Sequence, residues 1–399
     1  MPPQEQPLVE KSQQLQLASR GRGSLIELAG LFLRLGTIAF GGPPSHIAMM
    51  EDEVVTRRAW LTREQFLDFL GAANLIPGPT STELAIYVGR TQAGWVGLLV
   101  AGSCFILPSS IMVATLAWLY MRYGSLPQMA GFFYGVKPVV IALIVLAVVK
   151  LARSAVKSVW LALLCLLAVL AFSLGLNELL VLAGGALVAG FAHRFRSNRD
   201  RRLPSLPALL KLSGLYVGAA ATSTFSLAAL FLVFLKIGAI LFGGGYVLIA
   251  LLRSNLVARL GWISERQLLD AIAMGQVTPG PISTAATFIG FIVGGLPGAT
   301  VATIAMFLPA FLFVGVSGPL IPRLRRSPLA GTMLDGVNVA ALALIAVVAW
   351  QLSRTAIVDW ITLVVAGISL LLLSRYRVNS TWLILAGAVL GAAKFWLHF

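Results

Sequence analysis

The chain has 399 residues, of which 58% are hydrophobic and 11% charged, with a formal net charge of +15 and a mean hydropathy of +0.89. A soluble domain carries about 25% charged residues, so the composition excludes a soluble enzyme and indicates an all-α polytopic membrane protein. Basic residues lie mostly between apolar blocks, where they set topology rather than form a nucleic-acid surface.

In chain order, residues 1–23 read as a polar cytoplasmic tail without a signal-peptide pattern. Apolar segments long enough to serve as spans follow at Leu25–Gly42, Phe66–Val88, Trp95–Tyr120, Met129–Val149, Val159–Leu174 and Glu178–Phe191. A basic linker, 195–225, carries Arg196, Arg199, Arg201, Arg202 and Lys211, and its Leu206–Thr224 stretch is an extra span candidate. The second half offers Phe225–Leu252, Leu268–Val293, Ala299–Val316, Met333–Leu352, Ala356–Leu373 and Thr381–Leu397. About 12–13 membrane segments are expected.

The two halves are copies. Arg34-Leu-Gly-Thr-Ile-Ala-Phe-Gly-Gly42 matches Lys236-Ile-Gly-Ala-Ile-Leu-Phe-Gly-Gly244 at an offset of 202. Trp60-Leu-Thr with Gln65 and Asp68 matches Trp262-Ile-Ser with Gln267 and Asp270, and Pro77-Gly78-Pro79 matches Pro279-Gly280-Pro281, in the same register. After a one-residue slip Gly135 matches Gly336 and Arg153 matches Arg354. Identities held in register over so long a stretch define a first transporter repeat at 24–194 and a second at 226–399.

Equivalent loops differ in charge. Lys150, Arg153 and Lys157 follow the fourth segment of the first half, where the second half has Arg354 alone; Arg122 follows the third segment, where the second half has Arg323, Arg325 and Arg326. The positive-inside rule then turns the halves opposite ways, the inverted arrangement common in secondary transporters. Arg57, Arg58 and Arg63 are discordant, since this scheme puts them outside, though Glu51, Asp52, Glu53 and Glu64 lie among them. A parallel duplication is the alternative.

Each half places backbone irregularities alike. Gly41-Gly42-Pro43 and Gly243-Gly244 interrupt one segment, and the Pro-Gly-Pro triplet splits another into half-helices or a re-entrant hairpin. Such backbone is tolerated at membrane depth only where it lines a cavity or is buried in protein. Thr80-Ser81-Thr82-Glu83 has a capping-box pattern, and Ser283-Thr284 sits at the matching place. Helix starts there would offer N–H groups to an anion. Packing kinks are the bland alternative. Arg34 and Lys236, equivalent under the repeat, are basic residues at depth and would suit a doubly charged anion, unless each merely pairs with an acid. Asn74 and Gln276, preceding the triplets, could bond an oxyanion. Glu83 is the proton-coupling candidate, its counterpart being Ala285. Asp68 and Asp270 look like helix starts rather than site residues, and His46 looks structural. Cys104 and Cys165 sit in apolar runs, and His193 and His398 are isolated, so neither a metal site nor a cofactor is expected.

Paired Phe-Gly-Gly, Trp-Leu/Ile-Thr/Ser and Pro-Gly-Pro motifs in a chain of this length resemble the chromate ion transporter family, from about Ser24 onward. The resemblance implies a non-enzymatic protein of the bacterial inner membrane that exports chromate by proton motive force or anion exchange and confers chromate resistance. Sulfate or another oxyanion as substrate, a passive anion channel, and a homodimeric state remain alternatives. Gly245 stands where the first half has Pro43, so the two sites need not be strictly symmetric.

Overall fold

The computed structural model describes residues 24–124, 127–197, 225–242, 245–317, 327–376 and 378–397. The tail, the Leu206–Thr224 candidate, Gly243, Gly244 and the Arg323–Arg326 cluster lie outside them. All described elements are helical. The first half contributes α1 (Leu25–Ile38), α2 (Pro43–Glu51), α3 (Arg63–Ala73), α4 (Thr80–Tyr123), α5 (Pro127–Ala155), α6 (Val159–Ser173) and α7 (Glu178–Ser197). The second repeats the series as α8 (Leu227–Ala239), α9 (Val247–Leu252), α10 (Glu265–Val277), α11 (Ala285–Ser317), α12 (Pro328–Ala356), α13 (Trp360–Leu371) and α14 (Ser380–Leu397). Among the described residues, four helical stretches are long and apolar enough to cross a membrane: Thr80–Tyr123, Gly131–Ala155, Ile282–Ser317 and Pro328–Ala356. Large apolar side chains such as Trp95, Ile111, Leu167 and Trp360 face outward, as suits a lipid-facing surface. The chain is a multi-pass membrane protein with two homologous halves.

Local sequence explains the breaks. The Ser24 hydroxyl caps α1 by accepting from the Glu27 N–H. The helix stops before Gly41 and Gly42, whose φ angles of 102° and 76° are open to glycine but strained for other residues. Pro43 then restarts the chain at the first position of α2, where its missing N–H costs nothing. The returning α2, which continues as a π-turn at Asp52–Arg57, runs back along α1. Arg58 at its far end pairs with Glu27 at 3.5 Å. The expected single segment Leu25–Gly42 is thus one limb of a helical hairpin tipped by residues 39–42.

A second hairpin follows. A capping box between Thr62 and Gln65 starts α3, and Ser264 with Gln267 starts α10 in the same way. The Gln92 amide reaches the Trp60 carbonyl at 3.3 Å, and Phe69 stacks on Tyr87 at 5.5 Å. The start of α3 therefore lies beside residue 92, and Pro77-Gly78-Pro79 forms the tip between antiparallel limbs. At Ala93–Gly94 α4 turns back on itself, with φ +60° at Gly94, and a long limb begins at 95. The matching turn in α11 falls at Gly294–Gly295.

The outer helices are exchanged between halves. α13 and α14 pack on α5, whereas α6 and α7 pack on α12. Small residues let the backbones meet: a Cβ on Gly135 would lie 1.8 Å from the Gly387 carbonyl oxygen, and one on Gly336 would lie 2.2 Å from that of Gly185. Close van der Waals packing of this kind drives association where lipid removes the hydrophobic advantage. Repeat-equivalent helices run antiparallel. Trp95 meets Gly315 while Gly102 meets Phe311 along α4 and α11. Between α5 and α12, Lys157 pairs with Asp335 at one end and Tyr134 with Asp359 at the other.

Candidate functional site

The four hairpin tips meet, each bonded to a tip of the other half. The Gly78 N–H donates to the Leu241 carbonyl at 2.9 Å, and the Gly280 N–H donates to the Ala39 carbonyl at 2.9 Å. These bonds are repeat images of one another. They engage a backbone carbonyl freed at each of the Ala39 and Leu241 breaks, groups that are costly to leave unpaired at membrane depth. Both donors have positive φ, 151° and 91°. Gly280 also presses on Ser109, and Gly78 lies over the Glu83 carboxyl and Ala310. At the crossed breaks, Gly42 approaches the Tyr246 hydroxyl, which in turn faces the Gln276 side chain. His46 is buried, and its Nε2 hydrogen-bonds the Ala39 carbonyl at 2.9 Å, a structural role that braces the tip.

The capping box expected at Thr80 is not formed. α4 begins at Thr80 behind Pro79, with no side-chain cap. The Thr82 and Glu83 N–H groups both donate to the Pro79 carbonyl, the i−3 and i−4 bonds that open a helix whose N-cap is Pro79. Glu83 therefore lies one position too far along the helix to reach back to its own N-cap. In the second half a short 3-10 turn, Ile282–Thr284, precedes α11, and the Thr284 hydroxyl donates to the Pro281 carbonyl at 2.8 Å. That hydroxyl serves the broken backbone and does not project freely.

Several buried polar atoms on or beside the tips have no hydrogen-bond partner in the protein. They include the His46 Nδ1, the Thr82 Oγ1, both Glu83 carboxyl oxygens, the Ser110 Oγ, the Gln276 Nε2 and the Ser283 Oγ. Burying a polar group without a partner is costly, so a cluster of them at one place points to use by something that binds or passes there.

A polar hollow of about 320 Å³ opens beside the first-half tip, lined by Asn74, Gly78, Thr80, Lys157, Asp335 and Asn338 among others. Lys157 Nζ and Asp335 Oδ1 are 2.8 Å apart, with side chains 61% and 31% exposed. The hollow thus joins three residues singled out in the sequence to an exposed ion pair that was not. Ser81 is buried on the first turn of α4.

Both basic residues at depth have acidic partners. Arg34 lies 3.6 Å from Glu53 and is 57% exposed. Lys236 Nζ lies 3.0 Å from Glu178 and 2.9 Å from the Asn255 side-chain oxygen. Glu178 starts α7, so the exchanged packing supplies the partner of Lys236.

Sequence reasoning missed a buried charge cluster. Asp270, read as a helix start, is fully buried within α10. It accepts from the Tyr120 hydroxyl at 3.0 Å and lies 3.1 Å from Lys137 Nζ. Lys137 interrupts an apolar run at Lys-Pro, and that was its only signal. Its partner is 133 residues away, so no local pattern could link them.

Opposed, interrupted helical hairpins closing on buried unpartnered polar groups in a multi-pass protein define a membrane transporter of the broken-helix class. A family model described as Chromate transporter matches residues 26–191 and again 228–392. The chain is 34% identical over 373 residues to a chromate transport protein of Cupriavidus metallidurans, covering 92% of each chain. It is 34% identical over 384 residues to a probable chromate transport protein of Synechococcus elongatus, covering 94% of this chain and 96% of the relative. It is 30% identical to a chromate transport protein of Pseudomonas aeruginosa over 94% of this chain and 92% of the relative. No solved structure matches the chain. The chain belongs to the chromate transporter family.

Proposed function

We propose that this protein exports chromate across the bacterial inner membrane as a secondary active transporter, driven by the proton motive force or by anion exchange, and so confers chromate resistance. The reciprocal bonding of the tips carries this reading: it holds each Pro-Gly-Pro turn against the helix break of the other half and leaves polar groups from both halves unpartnered beside them. The substrate site comprises Asn74, Pro77, Gly78, Pro79, Thr80 and Ser81 of one half and Gln276, Pro279, Gly280, Pro281, Ser283 and Thr284 of the other. Gly41 and Gly42 close it from a facing tip, and Gly243 and Gly244, their sequence equivalents outside the described residues, belong to the same proposed site. Helix starts at 80 and 285 aim their dipoles at an anion between them. Arg34 and Lys236 would serve a dianion only by leaving Glu53 and Glu178. Glu83, whose unpartnered carboxyl lies under Gly78, exchanges a proton as the tip opens.

The antiparallel course of α4 and α11, and of α5 and α12, supports an inverted pair of repeats. Hairpins that enter and return on one side also remove the charge conflict in the sequence. Arg57, Arg58, Arg63 and Arg90 then share a side with Lys150, Arg153 and Lys157. The repeats at 24–194 and 226–399 then require an odd crossing in the linker. That side is the cytoplasm by the positive-inside rule, and the hollow by Lys157 opens toward it.

Labelled chromate uptake into everted vesicles tests the reading. Uptake abolished by an uncoupler or by removal of counter-anion supports coupled export. Uptake indifferent to both indicates a channel. Blockade by excess sulfate indicates a shared oxyanion site, and no uptake at all overturns the proposal.

A further inference from the structure

Lys137 and Asn338 occupy equivalent positions in α5 and α12. Asn338 lines the hollow beside the first-half tip. Lys137 instead lies against Asp270 of α10, the rising limb of the second-half hairpin, with side chains only 11% and 1% exposed. Around it stand Phe133, whose ring centroid is 5.7 Å from the ammonium, and Tyr120, which donates to the same carboxylate. One half thus presents an open hollow lined by an asparagine, while the other presents a closed contact built around a cation. The repeat counterpart of Asp270 is Asp68, which is exposed, so the buried pair has no twin.

We propose that Lys137 is a substrate-contacting cation of the opposite, outward-open state, and that Asp270 occupies it as an internal anion while that side is closed. Opening the second-half hollow moves α10 away from α5 and bares the ammonium toward the Gly280 tip. A tetrahedral dianion then replaces the carboxylate. An anion takes the place of an anion, so the cation is never left without a counter-charge. The asymmetry gives the two faces different chemistry, an amide on the entry side and a full positive charge on the exit side.

This inference rests on the transport reading above, and its test separates the two. The variant Lys137→Gln/Asp270→Asn removes both charges together and keeps an amide pair of similar shape. In everted vesicles it is expected to lower the chromate transport rate at least tenfold and to raise KM, while Lys137→Arg keeps a measurable fraction. In purified protein, chromate or sulfate is expected to raise the unfolding temperature of the wild type and not of the neutral pair. Wild-type rate and KM in the neutral pair, or equal stabilisation of both proteins by the anions, would overturn the inference while leaving the transport reading intact. Vesicles of the wild type that move no oxyanion overturn the transport reading, and the stabilisation experiment then decides Lys137 by itself. If the neutral pair does not accumulate, the reversed pair Lys137→Asp/Asp270→Lys decides. Restored wild-type transport marks a structural bridge and overturns the inference; accumulation without transport supports it.

Discussion

The Gly78 amide and the Leu241 carbonyl, 163 residues apart in sequence, are joined by a 2.9 Å hydrogen bond that the repeat reproduces between Gly280 and Ala39. Each half completes the broken backbone of the other. Neither tip is satisfied alone, so the site is a property of the assembled pair.

Gly280→Ala tests that closure. The φ of +91° is unfavourable for alanine, and the new methyl would sit 2.6 Å from the Ser109 side chain. Strain of this kind costs about 1–3 kcal/mol. A lowered unfolding temperature in detergent and loss of chromate uptake are expected. Gly367→Ala, a helix position with nothing within 4 Å, should be neutral or stabilising by up to about 1 kcal/mol.

Gly387→Leu tests the exchanged packing of the outer helices. Even a Cβ at this position would lie 2.6 Å from the Gly135 carbonyl oxygen, so α14 must move away from α5. Overpacking of a tight contact typically costs about 1–3 kcal/mol. Reduced accumulation in membranes and a lower midpoint of thermal aggregation are the expected readouts.

Glu83→Gln separates coupling from folding. The carboxyl is fully buried and neither oxygen has a partner, so a neutral isostere should fold at least as well. Uptake driven by a pH gradient is expected to disappear while chromate exchange persists. Gradient-driven uptake at the wild-type rate would remove Glu83 from the coupling.

Lys236→Ala and Arg34→Ala should part in stability. Removing Lys236 strands the buried Glu178 carboxylate, whose side chain is 8% exposed, and breaking a buried pair costs about 3–5 kcal/mol. Arg34 is 57% exposed, and a pair of that kind contributes about 0–1 kcal/mol. Arg34→Ala should therefore insert normally and lose transport. Full chromate resistance in that variant would exclude Arg34 from the mechanism.

Single-cysteine labelling addresses the hairpins and the inversion together. Arg63→Cys, Thr91→Cys and Lys157→Cys should all react from the cytoplasmic side, and Arg354→Cys from the opposite one. Labelling of positions 63 and 91 from opposite faces would mean that Pro77-Gly78-Pro79 interrupts a crossing segment.

By itself, the sequence determined the membrane environment, the helical class, the duplication and the points at which the helices break. All of these follow from composition and from local backbone chemistry at glycine and proline, which act within a few residues. Tertiary structure alone decided which tips meet, that Glu178 of α7 is the partner of Lys236, and that Lys137 finds Asp270. Those pairings depend on the exchange of helices between halves, and a one-dimensional pattern records no such contact. The missing capping box has the same origin in miniature: Thr80 to Glu83 spell a cap, but Pro79 fixes the helix start one residue early and turns Glu83 toward the tip.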